Sequence, residues 1–195
     1  AELFLSWNAP WGDRRARRTR VPECADSVAQ DTLYLSFMPG LSVPRFTGFT
    51  AHVFFRATGG DSLGSWWHME GKTGENPDNI LVQWSFMEDF PGRSPYPVGG
   101  QGGVFFDHTP HVARLRLVSA IPYDRAGPVT PGVVYSLGRV IFKHHPARGL
   151  TGCDQPVVLE WGVATLALGP IGEQAVHAGE RFVSWGGPYS IVEPF

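Results

Sequence analysis

The stretch VARLRLVS, residues Val112–Ser119, alternates apolar and polar side chains. In an extended chain successive side chains point to opposite sides, so the apolar positions share one face. These positions are Ala113, Leu115 and Leu117. Arg114 and Arg116 then lie on the opposite face, in water. The pattern predicts a strand of an antiparallel sheet that is buried on one face only.

A second stretch, Phe46–Ala57, repeats the alternation, with apolar residues at odd positions and His52 among the polar residues opposite. Because half-buried strands must cover a common interior, their apolar sides are expected to face one core. The predicted inner face consists of Phe49, Val53, Phe55, Leu115, Leu117, Val140, Phe142 and Trp161.

Two longer segments, Val133–His144 and Val157–Leu168, are apolar on both faces, which is typical of central strands. Shorter segments bring the total to about eight to ten strands. They are Leu3–Trp7, Leu33–Phe37, Ile80–Phe86, Val104–Phe106, Arg181–Trp185 and Tyr189–Val192. Gly-Pro and Gly-Gly turns separate them, and no long helix is needed. The predicted fold is all-β: a two-sheet antiparallel β-sandwich, immunoglobulin-like or jelly-roll.

The length of 195 residues is enough for one sizeable core. No internal repeat and no linker divides the sequence, so residues 1–195 are predicted to form a single domain. Residues 1–22 are expected to form an N-terminal strand and an arginine-rich loop that contact a neighbouring subunit. No apolar run of about 18 residues occurs, so no membrane-spanning helix is expected.

Cys24 and Cys153 are the two cysteines of the chain. The sequence begins at Ala1 rather than at Met, as a chain does after removal of a signal peptide. Two cysteines in an exported protein are expected to pair, whereas two buried thiols are the cytosolic alternative. The sequence therefore predicts a Cys24–Cys153 disulfide and a secreted protein, extracellular or on the cell surface.

Five arginines crowd the segment Asp13–Arg20, while the rest of the chain holds 11 basic and 17 acidic residues. They are Arg14, Arg15, Arg17, Arg18 and Arg20. Such a cluster can stay solvated, dock on the acidic surface of another copy, or bind nucleic acid, as in the arginine-rich arms of small viral coat proteins. Nucleic acid is the least favoured of the three, because no aromatic residues are interleaved with the arginines.

The apolar N-terminal strand is expected to add to the open sheet edge of a neighbouring copy. Its apolar residues are Leu3, Phe4, Leu5 and Trp7. Together with the arginine cluster they form the predicted assembly interface. Contacts of this head-to-tail kind produce rings or open filaments.

Trp66 and Trp67 are adjacent and lie beside a glycine-rich turn. Neighbouring side chains on a strand point to opposite faces, so one of the two is expected in the core and the other at the surface. An exposed tryptophan can stack on a sugar ring or fill a pocket of a partner protein. Core packing is the alternative for this pair.

Two groups of residues are candidate metal sites, with ordinary loop residues as the alternative for both. Asp107, His108 and His111 bring a carboxylate and two imidazoles close together in the sequence, and zinc uses both ligand types. An oxygen-rich loop of the kind that can hold Ca²⁺ contains Glu70, Glu75 and Asp78. No other cofactor is expected.

Catalytic signatures are missing from the sequence: no motif of a serine hydrolase, a zinc protease or a phosphate-binding loop occurs. Glu88 and Asp89 are adjacent, but glycosidases need two carboxylates about 5–10 Å apart across a cleft. The chain is therefore predicted not to be an enzyme.

The segment from Ala113 to Leu168 is similar to a region of secreted bacterial β-sandwich proteins and resembles, more loosely, cohesin-type modules. The similarity consists of a strand, a turn at Gly127-Pro128, a long strand, a turn at Gly152-Cys153 and another long strand. It covers under a third of the chain. The resemblance implies a sandwich fold and secretion, and cohesins bind dockerins in assemblies at the cell surface.

These observations predict an exported, non-enzymatic structural subunit that assembles with itself into an oligomer or filament. The first alternative is a monomeric cell-surface module that binds a carbohydrate or a partner protein. A viral-type coat protein is the second alternative.

Overall fold

The computed structural model describes residues 1–26, 28–58, 62–68, 79–85, 92–96, 100–144, 150–169, 172–178 and 182–187. Within these ranges it has no α-helix, two 3-10 helices, at Ser65–Trp67 and Tyr123–Arg125, and 13 strands. The strands are β1 (Glu2–Trp7), β2 (Thr19–Arg20), β3 (Gln30–Met38), β4 (Val43–Phe46), β5 (Gly48–Ala57), β6 (Ile80–Trp84), β7 (Gln101–His108), β8 (Val112–Ala120), β9 (Gly127–Val129), β10 (Tyr135–Lys143), β11 (Val157–Ala167), β12 (Glu173–Ala178) and β13 (Phe182–Trp185).

Eleven of the strands form two sheets that are joined along one side. The first sheet has the order β6-β10-β3-β1, and the second has the order β7-β8-β5-β11, in both cases with antiparallel neighbours. β12 and β13 pair one after the other with the remaining edge of β11. Two residue pairs between β1 and β12, which run parallel, join the sheets at this side. β4 and β9 form a separate antiparallel pair.

The inner faces of the two sheets pack against each other. The Phe142 ring of the first sheet lies 6.1 Å from Phe55 and 5.5 Å from Trp185 of the second, and Trp7 lies 5.5 Å from Trp185. All eight residues predicted for the inner face are buried. The predicted all-β sandwich is therefore confirmed, and so is the alternation that assigned its interior.

Some strands begin at other residues than predicted, because a turn fixes the first residue of the strand. β10 begins at Tyr135 rather than at Val133, because Gly132 has a φ of +74° in the turn that precedes the strand. The strands β2, β4, β9 and β12 are not among the predicted strands; the first three have only two to four residues and carry little periodicity. The strand predicted at Tyr189–Val192 lies outside the described residues.

The N-terminal strand β1 pairs within its own chain and is not an open strand. β1 pairs with β3 along its whole length, and Leu3, Leu5 and Trp7 are fully buried in the core. Phe4 faces the other way and stacks on Trp11, with ring centroids 5.0 Å apart. The prediction that Leu3, Phe4, Leu5 and Trp7 form an assembly interface is wrong, because these side chains are already covered within their own chain.

The arginine-rich loop closes the side of the sandwich next to β1. Trp7 and Arg17 exchange two backbone hydrogen bonds, and the amides of Ser184 and Gly186 donate to the carbonyls of Arg18 and Arg20, each at 2.8 Å. Through these bonds β2 runs parallel to β13. The loop backbone therefore connects the edge of the first sheet to that of the second.

Three of the clustered arginines also use their side chains locally. Arg15 pairs with Asp13 at 3.0 Å and thereby holds the pKa of this carboxyl at about 2. Arg17 donates to the carbonyls of Arg14 and Ala16, and Arg20 pairs with Asp31. Docking of the cluster on another copy stays a prediction.

The predicted disulfide is confirmed: Cys24 and Cys153 are bonded, with their Cα atoms 5.9 Å apart. The bond ties the segment after β2 to the turn before β11. At a sequence separation of 129 residues, it crosslinks the N-terminal quarter of the chain to the second sheet.

Candidate binding surface

The outer face of the second sheet, called the outer face below, carries the side chains of β5, β7, β8 and β11 that point away from the core. Strand alternation and register arrange these side chains in rows across the sheet. One row holds Glu160, Phe54, Arg114 and Asp107, the central row holds His52, Arg116 and Phe105, and the next row holds Thr165, Thr50, Val118 and Gly103. Neighbouring rows are about 7 Å apart along the strands.

The central row places an aromatic ring beside a guanidinium group. Arg116 lies opposite His52 on one side and opposite Phe105 on the other. The guanidinium carbon of Arg116 is 5.8 Å from the centroid of the Phe105 ring, which is within the range of a cation–π contact. Phe105 is 59% exposed, a large value for an apolar residue in the middle of a strand. The row therefore offers apolar area and positive charge together.

Phe54 supports this row from β5. Its ring lies over Gly162, where an added Cβ would come within 2.2 Å of a ring carbon, so only glycine leaves room for it. The guanidinium of Arg56 is 5.2 Å from the same ring, and the His52 ring meets its edge at 6.2 Å. Contacts on several sides thus fix Phe54 and, through it, the imidazole of His52.

Two of the three arginines on the outer face are neutralised by carboxylates. Arg114 Nε donates to Asp107 Oδ2 at 2.9 Å, and a second bond joins the same two side chains. Arg56 Nε lies 3.5 Å from Glu160 Oε2. Within the described residues, Arg116 has no ion pair of this kind. The central row therefore carries the uncompensated positive charge of the face.

His52 is neutral at pH 7. Burial lowers the pKa of its imidazole, and the positive charges of Arg114 and Arg116 lower this pKa further, while Asp107 acts weakly in the opposite direction. A ring whose pKa is below its usual value of about 6.5 is mostly unprotonated at neutral pH. His52 can then donate one hydrogen bond and accept another.

A shallow groove of about 550 Å³ continues the outer face beyond the central row. Its lining comes mainly from β5, β8 and β11, together with Thr47, Ile121 and Glu173, the first residue of β12. Most of the side chains are small, among them Thr50, Val118, Ala120, Thr165 and Ala167. The groove can therefore receive a small apolar side chain next to the Arg116 guanidinium.

A second cavity, of about 390 Å³, lies next to the disulfide and is lined by Trp66, His144, Leu150 and both cysteines, among others. His144 is buried, and its Nδ1 donates to the Glu23 carbonyl at 3.1 Å. Its Nε2 faces Asp31 Oδ2 at 3.1 Å. Both ring nitrogens are engaged, so His144 is not placed to take a proton from a substrate.

Asp31 joins His144 to Arg20 in a buried charge network. Burial alone lowers the pKa of His144, but the close ion pair with Asp31 and the hydrogen bond to the Glu23 carbonyl outweigh it, so this pKa is raised. When it is protonated, the imidazole balances the charge of the Asp31 carboxylate. We interpret the network as structural, since it holds the segment between β2 and β3 against the end of β10.

Trp66 and Trp67 are not surface residues. They lie in the 3-10 helix Ser65–Trp67 rather than on a strand, and both are buried, at 2% and 0% exposure. Their rings pack on Trp185 at 5.4 Å each. Side chains of a helical turn need not point to opposite faces, so the prediction that one of them contacts a sugar or a partner is wrong.

The first predicted metal site is not formed. The Asp107 carboxylate binds Arg114, the His108 ring stacks on His68 with centroids 4.5 Å apart, and the described residues contain no group of three or more candidate ligands. The second candidate, Glu70, Glu75 and Asp78, lies outside the described residues, as does the acidic pair at positions 88 and 89. None of the described helices is long and apolar enough to span a membrane.

The alternation of Val112–Ser119 predicts that Arg114 and Arg116 point outward, but it does not predict the surface that they form with Phe105. From the sequence, Phe105 belongs only to a short predicted strand. The signal that would have found the surface is the register of β7 against β8, which a single sequence does not reveal.

No protein-family model matches the chain, and no curated protein matches it. Among solved structures it is similar to a type II cohesin domain from the cellulosome of Acetivibrio cellulolyticus, with 9% identity, coverage of 95% of this chain and 94% of the other, and a TM-score of 0.46. It is also similar to AvmM, which catalyses macrocyclization in alchivemycin A biosynthesis, with 9% identity, coverage of 97% and 92%, and a TM-score of 0.46.

A third similar structure is the C-terminal domain of AspA, an antigen I/II-family protein of Streptococcus pyogenes. The identity is 11%, the TM-score is 0.37, and the match covers 95% of this chain and 46% of the other. Likenesses of this strength assign no function to the chain.

Proposed function

We propose that the chain is an exported binding module and that its outer face binds a partner protein. The observation that carries this proposal is the central row, where a phenylalanine that is 59% exposed lies beside a guanidinium with no carboxylate partner among the described residues. An exposed aromatic ring beside a guanidinium is the combination of side chains that contributes most to binding when a partner protein covers it.

The composition of the outer face fits this role. Aromatic and arginine side chains contribute most of the binding energy at protein interfaces, especially when they lie next to one another and are surrounded by less critical contacts. The strand backbone fixes the spacing of Phe105 and Arg116, so little conformational entropy is lost on binding. Arg114 and Asp107 supply a polar rim.

Two further observations support the export and the non-enzymatic role. The Cys24–Cys153 disulfide is of the kind that forms in oxidising compartments, outside the cytosol. His144, the buried histidine beside a carboxylate, has both ring nitrogens engaged and therefore lacks a free base. A partner of either kind, a different protein or another copy, can be accommodated by an open sheet face.

Self-assembly remains the second proposal, in an altered form. Since β1 is covered by its own chain, a filament built by addition of this strand is not available. A second copy would have to bind through the outer face or through Arg14 and its neighbours.

Photo-crosslinking tests the proposed function. We expect the variant Phe105→p-benzoylphenylalanine, secreted by or added to the producing cells, to form one dominant crosslinked product on irradiation. A product of twice the chain mass identifies a second copy as the partner, and any other mass identifies a different protein. The matched control carries the same photoreactive residue at Val28, which is 85% exposed and is not on the outer face.

The specificity of the product decides the outcome. Adding the charge reversal Arg116→Glu to the photoreactive variant is expected to remove the product, because the guanidinium contributes to the same contact. Two results would contradict the outer face as the binding surface. The first is an equal yield of crosslinked product from positions 105 and 28. The second is a product that still forms when Arg116→Glu is combined with a variant that lacks the Phe54 ring.

A further inference from the structure

We infer that the partner is an acidic polypeptide segment that places a carboxylate on Arg116 and a small apolar side chain in the adjacent groove. The inference rests on the proposed function, because it describes what the outer face binds. The proposed function names the surface, and this inference names the side chains of the partner that the surface recognises.

The charges of the outer face favour a carboxylate. Arg56 and Arg114 are paired with Glu160 and Asp107, so their charges are already offset. Arg116 has an aromatic neighbour but, among the described residues, no carboxylate partner. Because guanidinium and carboxylate form charge-assisted, often bidentate hydrogen bonds, an acidic side chain is the group that best satisfies Arg116.

The surroundings of Arg116 add a second requirement. The groove lined by Thr50, Val118 and Thr165 begins one row away, about 7 Å along the strands. This spacing equals two residues of an extended chain. Both features are therefore matched by an extended segment that has a carboxylate over Arg116 and a Val, Ala or Thr side chain two positions away. The Phe105 ring would then cover the aliphatic part of the acidic side chain.

His52 gives the binding a defined pH dependence. The groups that face its ring are Arg114 and Arg116 on β8, Asp107 on β7 and Phe54 on its own strand, while Glu160 on β11 is engaged by Arg56. The two arginines help to lower the pKa of His52 in the free protein. A bound carboxylate raises this pKa again, so binding takes up protons, and affinity increases as the pH falls from about 7 through the ordinary histidine range near 6.5.

The experiment is a selection from a phage-displayed library of random linear peptides against the folded, disulfide-bonded chain. We expect enriched peptides to contain Asp or Glu with a small apolar residue two positions away. Synthetic copies of them, measured by fluorescence anisotropy, should bind Arg116→Gln about tenfold or more weakly, because a hydrogen bond to a charged group is lost. A parallel selection on Arg116→Glu should enrich Lys or Arg instead.

The control variants separate the possible results. Arg93→Gln removes an exposed guanidinium beside β10 of the first sheet and should change affinity less than twofold, by the usual size of surface effects. His52→Gln should abolish this increase in affinity with falling pH without changing the requirement for an acidic residue.

Two results overturn the inference in different ways. Peptides that lose binding with Phe105→Ala but show no acidic enrichment, and bind Arg116→Gln normally, contradict the carboxylate and leave the proposed function intact. A selection that yields no peptide dependent on Phe105 or Arg116 overturns the inference as well. Crosslinking from position 105 then decides the proposed function independently.

Discussion

Replacing both bonded cysteines, Cys24→Ser with Cys153→Ser, is expected to lower the free energy of unfolding by about 5 kcal/mol, the chain-entropy value for a bond that spans 129 residues. The physical reason is that the crosslink removes many conformations from the unfolded chain. The bond also holds Cys153 next to the Trp185 indole, which donates to the Cys153 carbonyl. Urea unfolding followed by fluorescence of the seven tryptophans measures the change.

Reduction provides the matched control. The wild-type chain unfolded in the presence of a reductant should reach the stability of the double variant, and the reductant should not affect that variant. If the oxidised wild type and the double variant differ by less than about 1 kcal/mol, well below the usual range for a native bond, the disulfide is not a major source of stability.

The second large effect is expected at the buried charge network. Asp31→Asn should destabilise the fold by about 3 kcal/mol, at the low end of the range for breaking a buried ion pair. The low end applies because His144 can lose its proton and the partly exposed Arg20 can turn to solvent. The same urea unfolding measures the change at about pH 6, where the raised pKa keeps His144 protonated in the folded wild type.

The pH dependence of stability distinguishes this network from ordinary packing. The folded-state pKa of His144 is raised above the value of about 6.5 in the unfolded chain, so its contribution is complete below about pH 6.5 and is lost as the pH rises through the folded pKa. The wild type should therefore lose stability over this range. His144→Gln should be less stable at low pH and should lack that part of the slope; an unchanged slope contradicts the protonated imidazole.

Much of the sandwich could be predicted because its strands are half-buried. In β5 and β8, Val53 and Leu115 alternate with His52 and Arg116, and this alternation follows directly from the pleat of a strand that faces water on one side. The same physics identified the interior residues Phe142 and Trp161.

The position of β1 could not be predicted from its residues. Apolar residues such as Leu3 and Leu5 are expected both in a strand that pairs within its own chain and in a strand that pairs with a neighbouring copy. Only the observed pairing of β1 with β3 distinguishes the two cases. Trp66 and Trp67 were assigned to opposite faces because a strand was assumed, and the 3-10 turn places both in the core.

The binding surface depends on register in the same way. Phe105 and Arg116 are separated in the sequence by a turn, and they meet because β7 and β8 form a hairpin in which these two residues pair. A shift by one residue would turn Phe105 inward and leave Arg116 without its aromatic neighbour. Composition and spacing do not fix that register.

The binding footprint measured by NMR tests the central claim most directly. The isotope-labelled chain is titrated with the protein identified by crosslinking, and the side-chain signals of His52, Phe105 and the Arg116 Nε–H group are followed. We expect these signals to shift together, while signals of Tyr34 and Arg139 on the first sheet remain unchanged. Shifts confined to the first sheet or to the cavity beside the disulfide would contradict the outer face as the binding surface.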